Sequence, residues 1–76
     1  MKHAREDYNR IQDPDGLIPF TEPVMLFRAQ DKHFCDVLRF YRDAVIADNG
    51  DPKIVDAINK HLILSEAWPK KKAPDL

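Results

Sequence analysis

Apolar residues change their spacing part-way along this chain. From Leu17 to Phe27 they come in short clusters broken by Pro19 and Pro23, whereas from Phe34 to Trp68 they recur every three or four residues. The first pattern predicts extended chain and the second predicts helix. Val24, Leu26 and Arg28 would point to one side of a strand, and Met25, Phe27 and Ala29 to the other. Both sides are mostly apolar, so a strand over residues 24–29, covered on both faces, is expected. Asp31 reads as a helix N-cap and Gly50 as a left-handed terminator, which sets a first helix over residues 32–49. Its stripe is Phe34, Val37, Leu38, Tyr41, Ala44 and Val45, with Asp36, Arg39 and Asp43 opposite and Cys35, Phe40 and Ile46 on the flanks. Asp51 and Pro52 form the start of a second helix, because proline at the first helical position loses no hydrogen bond. Pro69 ends it, giving residues 52–68. Its stripe, Ile54, Val55, Ala57, Ile58, Leu62, Leu64 and Trp68, takes in His61 and Ser65 and spans nearly half the circumference, with Ile63 on the polar side.

The connection between the helices is so short that they must lie antiparallel. Two helices cannot bury two broad apolar stripes against each other alone. The fold expected is therefore mainly α: an extended N-terminal arm over residues 1–23, one short β-strand, and a two-helix hairpin that dimerises into a four-helix bundle. An isolated strand leaves backbone groups unpaired. The prolines beside Leu17, Ile18 and Phe20 make them poor mates, so a second copy, pairing across a two-fold axis near Leu26, is the expected partner. Asp13-Pro14-Asp15-Gly16 predicts a turn in the arm. Residues 69–76, with two prolines and three lysines, predict a flexible tail.

Length and charge narrow the function. A chain of 76 residues makes one small domain, residues 1–76. Domains this short gain stability from disulfides, metals or association. Cys35 is the only cysteine, which excludes an internal disulfide and fits a reducing cytoplasm. No signal peptide and no membrane-length apolar run are read. The net charge of −1, with both signs mixed, lacks the basic excess of nucleic-acid binders, and Lys70-Lys71-Lys72 is the one basic run.

Candidate chemistry is sparse. His33 and Cys35 are two residues apart, so on a helix they diverge, and two ligands fall short of the four of a structural zinc site. His61 interrupts an apolar face, and the ordinary reading is a satisfied core or interface residue rather than a ligand or a base. Arg28 either anchors Asp31 or a nearby carboxylate, or grips an acidic partner. Lys70 to Lys72 suit the end of a helix, where positive charge is favourable. No catalytic, cofactor-binding or metal-binding residue is assigned, and no cofactor is expected. The expected interface residues are Val24, Met25, Leu26, Phe27, Arg28, Phe40, Ile46, His61 and Trp68. They point to a protein that binds itself and other proteins, without catalysis. A nucleic-acid accessory role using Arg39, Arg42 and Lys70–Lys72 is the alternative, followed by a structural subunit of an assembly.

Three stretches resemble small uncharacterised bacteriophage and prophage proteins. They are Arg10-Ile11-Gln12-Asp13-Pro14, then Ile18-Pro19, then Glu22-Pro23-Val24-Met25-Leu26-Phe27-Arg28-Ala29-Gln30-Asp31; the closing Pro74-Asp75-Leu76 is also similar. The resemblance implies a phage or prophage accessory protein in the bacterial host cytoplasm, acting by binding a host protein. It implies no activity and no catalytic residue.

Overall fold

Local side-chain chemistry sets the ends of the regular elements. Asp13 accepts the amides of Gly16 through its carbonyl (3.0 Å) and of Leu17 and Ile18 through its carboxylate (3.1 and 3.0 Å). Gly16 takes φ 63°, where a side chain would be strained, so this turn forms as its residues predict. The computed structural model describes residues 2–3 and 13–75, and the order of elements is β1 (Lys2–His3), β2 (Pro23–Val24), α1 (Phe34–Ala47) and α2 (Pro52–Ala67). The rest of the predicted arm upstream of Asp13 lies outside the described residues.

The strand is shorter than expected, and its mate differs. Only Pro23–Val24 is regular, and it pairs in parallel with Lys2–His3 of the same chain. The expected partner from a second copy is therefore replaced by the chain's own start. Residues 25–28 leave the ladder because Phe27 turns to stack on Phe34, ring centroids 6.0 Å apart, at the beginning of α1.

Asp31 does not cap α1 directly. Its carboxylate accepts the amide of His33 (2.8 Å) and its carbonyl accepts that of Phe34 (3.0 Å), which makes a turn one step before the helix. His33 then occupies the cap position with no side-chain bond. At the other end the left-handed residue is Asn49, with φ 53°, and not Gly50. The amide of Asn49 donates to Ile46 and that of Gly50 to Val45 (3.1 and 2.8 Å), the paired bonds of a Schellman motif. Glycine is needed at position 50 for space: a Cβ there would lie 2.5 Å from Cγ1 of Val45. α2 begins as its residues predict, with Asp51 accepting the amide of Lys53 (2.9 Å) and Pro52 in the first turn.

The two helices form the expected antiparallel hairpin, but α1 is rotated from its predicted face. Phe34, Cys35, Leu38, Arg39, Arg42 and Val45 are its less exposed residues, whereas Val37, Tyr41 and Ala44 stand in solvent. The inward arginines explain the rotation. Arg39 pairs with Glu66 of α2 and with Asp36 (3.0 Å), and Arg42 donates to Asn59 (3.3 Å) and pairs with Asp43 (3.2 Å). Their long stems pack while their charged ends reach partners at the helix seam. Among the described residues the buried core is Ile58 and Leu62, at 6% and 8% exposure, with Ser65 beside them.

The segment after α2 is hydrogen-bonded to the turn before α1. The amide of Lys72 donates to Gln30 (2.7 Å) and its carbonyl accepts from Lys32 (3.0 Å), a parallel bridge between Asp31 and Lys72. Extended chain following Pro69 meets the turn ahead of α1 there.

Candidate functional site: an apolar face of the hairpin

Most of the exposed apolar residues of the two helices fall on one side, while Ile46 and Ile63 lie on the other. At about 100° per residue, Val37, Phe40, Tyr41 and Ala44 rotate away from the packed face of α1 in one sense. Ile54, Ala57, His61, Leu64 and Trp68 rotate from the packed face of α2 in that same sense. In an antiparallel pair, equal senses of rotation bring both stripes to the same side. Arg39, Glu66 and Asn59 rotate the opposite way, and their contacts across the helices mark the other side. The hairpin thus has one side laced by side-chain bonds and a more apolar side on which, among the described residues, Tyr41, His61 and Leu64 are exposed.

The broad α2 stripe splits accordingly. Ile58, Leu62 and Ser65 are buried and Val55 is half-buried, while Ile54, Leu64 and Trp68 are exposed, Leu64 to 67%. His61 lies in the exposed half, level with Tyr41 of α1 by the pairing of Arg39 with Glu66 and Arg42 with Asn59. It is not a core histidine. Two small alanines, Ala44 and Ala57, lie toward the turn end of this face and let another surface approach closely.

Other sequence candidates are scattered. Phe40 is 79% exposed at the outer margin of the apolar side. Ile46 lies toward the polar side, at an open depression by the helix turn with Asn49, Gly50, Pro52, Val55 and Asp56. Val24 is half-buried in its two-residue ladder, and Met25, Leu26, Phe27 and Arg28 are exposed in irregular chain. Among the described residues Arg28 meets Asp31 through a backbone turn, Asp31 amide to Arg28 carbonyl (3.0 Å), and the Asp31 carboxylate accepts the His33 amide. His33 is exposed and Cys35 half-buried, and among the described residues no group of three or more His, Cys, Asp or Glu side chains gathers as a metal site. No helix of the described residues is long and apolar enough to cross a membrane.

The basic residues are engaged locally. Lys71 donates to the carbonyls of Ala29 (2.9 Å) and Ser65, and Lys72 pairs with Asp75 (3.2 Å). With Arg39 and Arg42 held at the helix seam, no basic stripe forms from these four side chains. No protein-family model, curated protein or solved structure matches the chain.

What sequence reading missed was the division of each stripe into a covered and an uncovered half. The signal was present in Arg39 and Arg42: their spacing from Leu38 and Val45 put both within reach of the second helix.

Proposed function

We propose that the chain is a non-catalytic protein–protein interaction module that uses the apolar side of its hairpin, first to dimerise as a four-helix bundle and then, as a dimer, to hold a further protein. One observation carries the reading: among the described residues six exposed large apolar side chains, Val37, Phe40, Tyr41, Ile54, Leu64 and Trp68, share one side of the two helices. Scattered exposed apolar residues are ordinary, but a continuous face along two helices marks an interaction surface. Covering Val37, Phe40, Tyr41, Ile54, Leu64 and Trp68 would remove on the order of 600 Å² per protomer, near the roughly 800 Å² of a standard interface. The face carries no lysine, arginine or carboxylate in its centre, so a second copy meets no buried like charge there. His61 supplies a polar group that can bond across the axis. On the resemblance described above, the setting is a phage or prophage accessory protein and the further partner is a host protein in the bacterial cytoplasm.

The experiment is a paired capture from bacterial lysate, with the native chain and a Tyr41→Asp/Leu64→Asp variant as baits. A saturable protein retained by the native chain and lost by the variant is the expected result. A protein retained equally by both would remove the apolar side from the binding function.

A further inference from the structure

The C-terminal segment occupies a site made almost entirely of backbone. Trp68 ends α2 in extended conformation, φ −66° and ψ 119°, and Pro69 keeps the chain extended. At Lys72 it forms a single parallel bridge with the turn before α1, through the Gln30 carbonyl and the Lys32 amide. One residue earlier, the Lys71 ammonium donates to two converging carbonyls, Ala29 in that turn and Ser65 in the last turn of α2. The second lies at a helix C-terminus, where the peptide dipoles favour a cation. Ser65 also accepts the Trp68 amide and is itself 5% exposed, so this end of the site is built into the core. The Lys72 side chain turns elsewhere, to Asp75.

The receiving groups are therefore the carbonyls of Ala29, Gln30 and Ser65 and the amide of Lys32. They read two things only: extended backbone, and a cation on the residue before the paired one. Nothing in them requires that the strand belong to this chain. Strand addition to an exposed edge is a general route of peptide recognition, with main-chain bonds giving affinity and side-chain seats giving specificity. We propose that residues 29–32 form a strand-addition site for an extended peptide bearing lysine or arginine immediately before its paired residue, and that the chain's own C-terminal segment is the built-in occupant. The Lys71 ammonium is the latch that holds this occupant in place. A partner segment of the same chemistry takes its seat by displacement. The inference deepens the interaction reading by naming one element the partner presents, but it uses a different surface from the apolar side.

The tethered segment competes at an effective concentration in the millimolar range, so a free peptide binds the native chain weakly. The test uses full-length chains with the occupant loosened. Lys72→Pro removes the amide that donates to Gln30, and Lys71→Gln removes the latch charge; both positions lie outside the helices. Amide exchange at Lys32 reports occupancy of the site. Exchange at Lys32 is expected to rise at least tenfold in both variants with helicity retained, and to stay near native in Lys71→Arg. The probe is a synthetic peptide of residues 68–76. At millimolar concentration it should restore Lys32 protection in the Lys72→Pro chain, and its Lys71→Met version should bind at least tenfold more weakly. Unchanged Lys32 exchange in both variants would overturn the proposal. So would a peptide that fails to protect Lys32, or one that binds as well without its lysine. The dimer mass of the same variants is expected to stay native, so this result and failure of the apolar-side reading are separable.

Discussion

The two sides of the hairpin solve the same problem in opposite ways. On one side Arg39 and Arg42 reach Glu66 and Asn59, so long side chains span the seam and polar contacts tie the two helices together. On the other side Tyr41, His61 and Leu64 are exposed, with no such bonds across the seam among the described residues. Both sides belong to the same two helices, and both derive from stripes of similar spacing. The difference teaches that the spacing of apolar residues says how wide a buried face must be, but not how much of it the chain itself buries. Here the intramolecular core takes the middle of the stripe, around Ile58 and Leu62, and leaves the far edge exposed.

Charging the apolar side should break this contrast most severely. In the proposed dimer, Tyr41→Asp with Leu64→Asp places two carboxylates per protomer at the interface, and the dissociation constant should rise at least a hundredfold, roughly 3 kcal/mol. Sedimentation with helicity held constant measures it. Next comes the core that both sides share. Leu62→Ala should lower unfolding stability by about 2–4 kcal/mol, read as a shift in the urea midpoint, because the cavity cannot be refilled across so thin a core. Gly50→Ala should cost about 1–2 kcal/mol by the same measurement, since its Cβ meets Val45 and the antiparallel turn must give way. His61→Leu sharpens the comparison from the other direction: it extends the apolar stripe and should tighten the dimer about tenfold, or about 1.4 kcal/mol. The smallest effect is expected on the polar side, where Glu66→Gln should change stability by less than about 1 kcal/mol, as both partners are close to half exposed in solvent.

Much of the helical framework was legible from residues acting locally. Asp51-Pro52 starts α2 and Pro69 follows its end, because capping and proline chemistry depend on near neighbours alone. The hairpin followed from the length of the connection. The left-handed position was misread by one residue: glycine is the usual choice for positive φ, yet Asn49 tolerates it, and Gly50 is needed against the Val45 side chain instead. The face of α1 differs from the apolar stripe because Arg39 and Arg42 lay their stems along the seam, which apolar spacing does not register. The strand over residues 24–29 was overdrawn because alternation cannot distinguish a ladder from irregular chain that turns a ring onto a helix, as Phe27 does with Phe34. The docked tail was not legible at all. Its seat is made of main-chain carbonyls and amides from residues 29–32 and 65, and no side-chain pattern announces them. Of the candidate face, His61 and Trp68 were legible as interruptions and ends of a stripe, and Phe40 as a residue the hairpin did not need; their common side emerged only with the rotation of both helices.

The central claim is that a second copy covers the apolar side. Light scattering on the native chain across a micromolar concentration series tests it most directly, with solvent quenching of Trp68 fluorescence followed in the same samples. A mass of twice 8.8 kDa is expected at the upper end of the series, with Trp68 becoming shielded as the dimer forms. A chain that stays at 8.8 kDa throughout, with helices intact and Trp68 equally quenched at every concentration, would contradict it.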